Sequence, residues 1–242
     1  MGKDLIQQRR GKGSQRYRSP SFKYAGKISH RPYTSEEKER KVNGIIADII
    51  HSTGHSAPLA IVEYEDGYQT LIAAPRGVYV GYEVEAGIEA SIKPGNTLPL
   101  KNIPEGTEVY NLEKIPGDGG KYVRSAGGYA KVVGKTANGI SVVLPSKKVK
   151  EFNPESRATV GLIAGFGKTE KPFLKAGNKY HARRARNKLY PIVSGTSMNA
   201  VDHPFGGSKS SHKGRPTIAP RNAPPGKKAG KLRPKRTGRK KR

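Results

Sequence analysis

"LAIVEYEDGYQTLIAAP", residues 59–75, sets two runs rich in Val, Ile, Leu, Tyr and Thr around Asp66-Gly67. An Asp-Gly pair between such runs is a strong hairpin signal. Glycine adopts a positive φ without steric cost, and Asp folds its side chain onto the following backbone. The pattern continues outward. "NGIIADII" (43–50) is an apolar run that ends at the loop "HSTGHSAP", and "VYVGYEVEAGIEASI" (78–92) alternates near period two. Further on come "EVYNLEKI", "KYVRSAG", "YAKVVGKTANGISVVLP" and "RATVGLIAG", with a second hairpin turn predicted at Asn138-Gly139. Short runs with turns every eight to twelve residues or so argue for small closed barrels rather than one open sheet. Two barrels of roughly 50–80 residues fit the length. "KPGNTLPLKNIPEGT" (93–107) predicts a Pro/Gly hinge, with a domain boundary near it.

Composition narrows the classes. Only 33% of the 242 residues are hydrophobic, with no Trp and five Phe, so a core running through the full length is not expected. The absence of Cys excludes disulfides and thiolate metal sites and fits a reducing compartment. No run of about 18 apolar residues predicts a membrane span, and "MGKDLIQQRRGKG" has no apolar signal-like core.

The net charge is +27, and its distribution carries the information. Residues 1–31 carry +8, 32–167 carry −1, 168–188 carry +7, 189–207 carry −1 and 208–242 carry +14. Three basic clusters around a near-neutral middle point to a polyanion partner, because Lys and Arg replace the counterions condensed on a phosphate backbone. The N-terminal cluster interleaves Tyr17, Phe22 and Tyr24 with Arg and Lys. Guanidinium planes stack on bases and fork onto phosphates, which favours structured RNA over duplex reading by a recognition helix. One helix is predicted around 171–188, anchored by Phe173 and Leu174, with Arg183, Arg184 and Arg186 over its surface. Both tails are too polar to order alone and are expected to order only against a partner.

Three motifs carry chemistry. "KIPGDGGKYVRSAGGYA" (114–130) is Gly-rich around Lys121 and Arg124, which lets a backbone approach phosphates. It is not a Walker loop, since Lys121 precedes Tyr122, and a plain barrel turn reads equally well. His51 and His55 have no Cys or carboxylate at ligand spacing, so no zinc site is expected. "MNAVDHPFGG" (198–207) puts Asp202 beside His203, with Ser194, Thr196 and Ser197 upstream, the parts of a nucleophilic site. Side chains of adjacent residues diverge, and the segment lacks apolar residues for a pocket, so a triad is not expected. A turn docked on RNA fits better. In it Met198 and Phe205 pack, Asp202 fixes backbone amides and His203 donates to a phosphate or ribose.

"SGTSMNAVDHPFGG", "IKPGNTLPLKNIPEGT", "GGKYVRSAGGYA" and "RATVG" closely resemble, in order and nearly end to end, motifs of the ribosomal protein L-two family, universal in the large subunit. "GRPTIAPRNAPPGKKAGKLRPKRTGR" resembles the archaeal and eukaryotic branch, and the short length and lack of Cys lean towards an archaeon. The resemblance implies a mainly β protein. A basic N-terminal extension (1–35) precedes an OB-fold barrel (36–88) and an SH3-like barrel (89–168). A basic helical linker (169–193) and an extended C-terminal rRNA-binding tail (194–242) follow. It implies a non-enzymatic constituent of cytoplasmic ribosomes that binds large-subunit rRNA and supports subunit association, tRNA binding and the peptidyl-transferase region. The expected rRNA-binding set is Lys121, Arg124, Ser125, Arg157, Arg183, Arg184, Arg186, Asn199, His203, Lys213, Arg215 and Arg221, with Asp202 and His203 near the peptidyl-transferase region. Neighbouring ribosomal proteins and the small subunit across the intersubunit interface are the other expected partners. Neither a membrane nor a second copy of the chain is expected. No cofactor is expected beyond Mg2+ bridging RNA contacts. A general nucleic-acid binder outside the ribosome is the alternative. Two departures limit the carry-over: bacterial members often have a second His where this chain has Phe205, and Gln69 and Thr70 replace basic residues of the bacterial first-barrel hairpin.

Overall fold

The opening hairpin forms as its residues dictate. In a computed structural model, β2 (Leu59–Tyr64) pairs antiparallel with β3 (Gln69–Ala73), in register from Leu59↔Ala73 to Glu63↔Gln69. Gly67 stands at φ 78, its N–H donates to the Tyr64 carbonyl at 2.9 Å, and Asp66 Oδ1 accepts the Tyr68 N–H at 3.1 Å. The structure describes residues 2–136, 139–168, 170–207, 216–218 and 222.

Ahead of the hairpin, the short helix α2 (Ser35–Glu39) leads into β1 (Lys41–Ile50), which pairs with β2 and with β4 (Glu83–Gly87). Val42 and Ile46 of β1, Ala60 and Val62 of β2, Ile72 of β3 and Val84 and Ala86 of β4 bury into the first core, as strand alternation requires. The second half contains β5 (Thr97–Pro99), β6 (Glu108–Tyr110), β7 (Ala130–Thr136), β8 (Gly139–Val143), β9 (Val149–Phe152) and β10 (Arg157–Val160). Leu98, Leu100, Ile103, Val109, Val132, Val142, Phe152 and Val160 fill its core. Among the described residues the strands run β3-β2-β1-β4-β5-β10-β6-β7-β8-β9, and the halves meet at the parallel bridge Ala86↔Thr97. A third cluster of Ile28, Leu59, Ala73, Tyr110 and Ile163 lies at this seam, with the Ala164 N–H on the Ala74 carbonyl at 2.9 Å. The chain is therefore mainly β, with two successive strand-built halves where the resemblance implies an OB-fold and an SH3-like barrel. The Asn138 turn lies outside the described residues, flanked by the paired ends Thr136↔Gly139.

Three expectations about the elements change. The 78–92 run is a strand only over Glu83–Gly87. Gly81, at φ 87, turns the chain, and Tyr79 and Val80 are exposed. The 93–107 segment is a core element rather than a hinge: Asn96, Leu98, Leu100 and Ile103 are buried. Asn96 makes this possible. Its Oδ1 accepts the Glu85 N–H at 2.8 Å, and its Nδ2 donates to the Ser91 carbonyl at 2.9 Å, so the polar turn enters the interior satisfied. The helix is shorter, α3 (Ala176–Arg184), and its expected anchors Phe173 and Leu174 are 52% and 92% exposed.

Arg157 departs furthest from its expected RNA-facing place. It is 1% exposed. Its Nη2 and Nε donate to Glu113 Oε1 at 2.7 and 3.2 Å, and its Nη1 donates to Glu37 Oε2 at 2.6 Å. Glu37 also pairs with Arg31 at 2.9 Å, and Arg31 with Asp66 at 2.6 Å. The two guanidinium groups lie over Tyr33 and Tyr64, at 4.6 and 4.9 Å. Burial pushes the Glu113 carboxyl up, but the Arg157 guanidinium more than reverses it, leaving it below its ordinary value. A charge committed to two buried carboxylates is part of the core.

The structure forms two compact units, Ser21–Phe173 and Met1–Pro20 with Leu174–Arg242. In the second, the terminal segments order against each other, not only against an external partner as expected. The Lys3 N–H donates to the Val201 carbonyl at 2.8 Å, Lys3 pairs with Asp202 at 3.2 Å, and Asn187 Nδ2 donates to the Arg18 carbonyl at 2.6 Å. Within the same unit, α1 (Ile6–Gly11) is capped by Gln8 Oε1, which accepts the Leu5 N–H at 2.9 Å.

Two outcomes are expected. Arg157→Leu strands Glu113 as a buried unpaired charge, leaves Glu37 with Arg31 alone, and lowers stability by roughly 3–5 kcal/mol; a urea midpoint equal to wild type contradicts this. The second concerns His30, whose Nε2–H donates to the Asn111 carbonyl at 2.7 Å while Nδ1 is buried without a partner among the described residues. Burial, then the Arg157 charge, lowers its pKa from 6.5 to about 4. Folding thus favours the neutral ring. The corresponding stability is complete above pH 6.5 and is lost as pH falls towards 4. Urea midpoints at pH 7 and 4.5 should differ more for wild type than for His30→Gln.

Candidate nucleic-acid interface

The Gly-rich turn is shaped by the same buried carboxylate that holds Arg157. Glu113 Oε2 accepts the Gly117 N–H and Oε1 the Gly119 N–H, both at 3.1 Å. Asp118 Oδ1 accepts the Gly120 N–H at 2.9 Å. Gly120 sits at φ 93, where a Cβ would collide with the Asn111 side chain, so the position requires glycine. The chain then passes through Val123, a β-branched residue at φ 54, whose carbonyl is fixed by the Asn111 N–H at 2.9 Å. Such a conformation is costly and persists only where its surroundings impose it. It stands immediately before Arg124.

Arg124 and Ser125 emerge on a cleft of about 620 Å³, lined also by Tyr24, Lys27, His55 and Ser56. Arg124 is half-buried, and its Nη1 donates to the Ile28 carbonyl at 3.4 Å. Tyr24 lies against Gly54 and meets His55 edge-on, with ring centroids 5.9 Å apart. Lys168 Nζ donates to the Ser56 carbonyl at 2.9 Å, and the Ser56 hydroxyl accepts the Ala126 N–H at 2.9 Å. Among the described residues, no carboxylate lines the cleft. Cations, exposed hydroxyls and an aromatic ring, with no competing acid, suit a phosphate and its neighbouring base. Lys121 is exposed just before Arg124 on the same turn.

The remaining expected site residues fall in the other unit or beyond the described residues. Arg183 and Arg184 are exposed on α3, and Arg186 is half-buried just beyond it. Residues 194–207 fold into a closed loop. The Gly207 N–H reaches the Met198 carbonyl at 3.0 Å, and the carbonyl of exposed Asn199 accepts the N–H groups of Asp202 and His203, at 3.0 and 3.2 Å. Phe205 is buried as expected, its ring 5.3 Å from that of His203, whereas Met198 is half-buried. Asp202 corrects the expectation: its carboxylate pairs with Lys3 instead of fixing amides. His203 Nδ1 accepts the Phe205 N–H at 3.0 Å, which assigns the proton of the neutral ring to Nε2. Burial lowers its pKa, favouring that form. A Cβ at Gly195 would collide with the His203 ring, so the close approach requires glycine there. Lys213, Arg215 and Arg221 lie outside the described residues.

Sequence reasoning missed Lys27, His55, Ser56 and Lys168 as cleft neighbours. His55 was weighed only as a metal ligand, and nothing in residues 21–31 signals that they line the same cleft as the turn at 120–125. The interleaving of Tyr24 with lysines was the one available clue.

Comparison with known proteins places this geometry. Residues 2–86 match the family model described as Ribosomal Proteins L2, RNA binding N-terminal domain, and residues 93–228 match Ribosomal Proteins L2, C-terminal domain. The chain is 52% identical over 238 residues to the large ribosomal subunit protein uL2 of Methanosphaera stadtmanae, covering 98% of this chain and 99% of that protein. The uL2 of Methanothermobacter thermautotrophicus is also 52% identical, with the same coverage. The uL2 of Methanococcus vannielii is 50% identical over 240 residues, 99% of this chain and all of that protein. Matches that span both halves of the sheet and most of both terminal segments leave one assignment: the chain belongs to the ribosomal protein L2 family.

Proposed function

We propose that this chain is a structural constituent of the large ribosomal subunit that binds its rRNA and has no enzymatic activity of its own. The observation that carries this reading is the acid-free cleft at Arg124, built on a turn that buried Glu113 holds rigid. In this reading Arg124 and Lys121 bind phosphate, Ser125 and Tyr24 engage sugar and base, and the rigid β halves set their spacing. The basic terminal segments supply most of the affinity by displacing counterions, and the cleft supplies register. Cytoplasmic ribosomes, neighbouring ribosomal proteins and the small subunit are the setting and further partners. Mg2+ would serve only as a bridge between RNA contacts. The loop at 194–207 acts near the peptidyl-transferase region as a positioning element, with His203 Nε2–H as a hydrogen-bond donor rather than a general base.

Arg124→Ala should weaken binding of the full chain to large-subunit rRNA roughly tenfold at fixed salt, and reduce the steepness of the log–log salt dependence by about one, with circular dichroism unchanged. An unchanged dissociation constant sinks the assignment. Wild-type binding that is flat between about 50 and 200 mM salt sinks the electrostatic reading altogether. Equal competition by duplex DNA at matched charge favours a general nucleic-acid binder.

His203→Gln keeps a side-chain donor and removes titration, so ribosomes carrying it should assemble and transfer peptides as wild type. Assembled ribosomes that have lost peptide transfer would show that His203 does more than position.

A further inference from the structure

α3 carries Tyr180 and Arg184 four residues apart, so both stand on one face. The chain leaves the helix through Asn187 at φ 49. The Asn187 N–H donates to the Arg184 carbonyl at 3.0 Å, and the Lys188 N–H to the Arg183 carbonyl at 2.8 Å, a left-handed reversal that ends the helix. The reversal brings Lys188 and Tyr190 beside Tyr180. The Asn187 side chain donates to the carbonyls of Gln15 and Arg18, at 3.2 and 2.6 Å, and so fastens Arg16 and Tyr17 on the other side.

The product is a pocket of about 260 Å³ lined by three phenol rings and three cations, with no carboxylate among the described residues. Among the described residues of this unit its charges have no acidic partner, for a reason visible in the sequence. Met1–Pro20 and Leu174–Arg242 contain only two acidic side chains, Asp4 and Asp202. Asp4 pairs with Lys12 at 2.6 Å and Asp202 with Lys3 at 3.2 Å. Among the described residues, no acidic side chain of this unit is left for Arg16, Arg184 or Lys188. Folding has gathered rings and cations around a concavity smaller than the roughly 300–1,000 Å³ of drug-sized sites. That size and chemistry suit one nucleotide: aromatic rings take the face of a base, and guanidinium and ammonium groups take its phosphates.

We infer that this pocket is a subsite for a single unstacked nucleotide of an RNA strand, with the base against Tyr180 and the phosphates on Arg16, Arg184 and Lys188. The inference rests on the RNA-binding reading and adds a site separate from the Arg124 cleft. Tyr180 is 43% exposed, the accessible platform. Tyr17 and Tyr190 are half-buried walls, and Lys179 lies 5.3 Å over the Tyr190 ring.

The test uses the full chain and large-subunit rRNA carrying 4-thiouridine. Cross-links mapped by mass spectrometry should fall on the peptides holding Tyr17, Tyr180 or Tyr190. Tyr180→Leu should weaken binding roughly tenfold with the salt slope unchanged, since stacking releases no counterion, while Tyr180→Phe binds as wild type. Arg184→Gln should instead reduce the slope by about one. Cross-links absent from these peptides, together with wild-type affinity of Tyr180→Leu, overturn the subsite while salt-dependent RNA binding at the Arg124 cleft stands. Loss of all salt-dependent binding in the wild-type chain overturns the parent reading instead. Adenosine monophosphate titrated alone separates the sources: saturation well below millimolar without rRNA cross-links assigns the pocket to a free nucleotide and overturns the strand assignment.

Discussion

Arg157 holds the β unit together from within. Its guanidinium joins Glu113, from the loop after β6, to Glu37 of α2, and Glu37 passes the chain of charges on through Arg31 to Asp66 in the first hairpin turn. Both halves of the sheet and the segment that precedes it converge on one buried network. Desolvating such charges costs several kcal/mol per ion, and only close pairing with further hydrogen bonds offsets that. Here the offset is visible: Glu113 alone accepts from Arg157, Gly117 and Gly119. Such a network is weak evidence of net stability, but removing one partner leaves a charge buried and unpaired.

That constraint reaches the cleft at Arg124. The oxygens of Glu113 that anchor Arg157 also anchor the amides of the turn at 117–119, and this turn runs through Lys121 and the strained Val123 to Arg124. A cation that must meet a phosphate needs a fixed origin, since a freely swinging side chain loses entropy on binding. The near-neutral middle of the chain thus supports polyanion binding. Its acids are drawn into pairs such as Glu85–Lys41 and Glu155–Lys101, and none of the described residues lining the cleft is acidic. Net charge over a segment is a poor guide to the field at one surface.

The opening hairpin, the β character, the burial of Phe205 and the charge partition were legible because each depends on local rules: turn chemistry, strand alternation and the sum of ionised groups. The 93–107 segment was misread because Pro and Gly mark loops locally, while Asn96 satisfies the backbone from a distance and lets the segment enter the core. Arg157 was misread because an arginine in a basic protein looks like a phosphate ligand until its carboxylates are seen. Those partners lie 44 and 120 residues away in the chain, beyond any local pattern. Asp202 was misread in the same way, since its partner Lys3 is near the other end of the chain.

By itself, then, the sequence determined the class of this protein: mainly β halves, a polyanion partner and, through long motifs in order, its family. Composition and short-range periodicity are enough for that, because backbone preference and charge are properties of neighbouring residues. Only the tertiary structure decided which cations are available. It buried Arg157 among carboxylates, set Arg124 at a cleft beside residues 24–28 and 54–56, and gathered Tyr17, Tyr180 and Tyr190 with Arg16, Arg184 and Lys188 around one pocket. Whether a charge faces a carboxylate, water or open space depends on groups far apart in the chain, and folding alone brings them together.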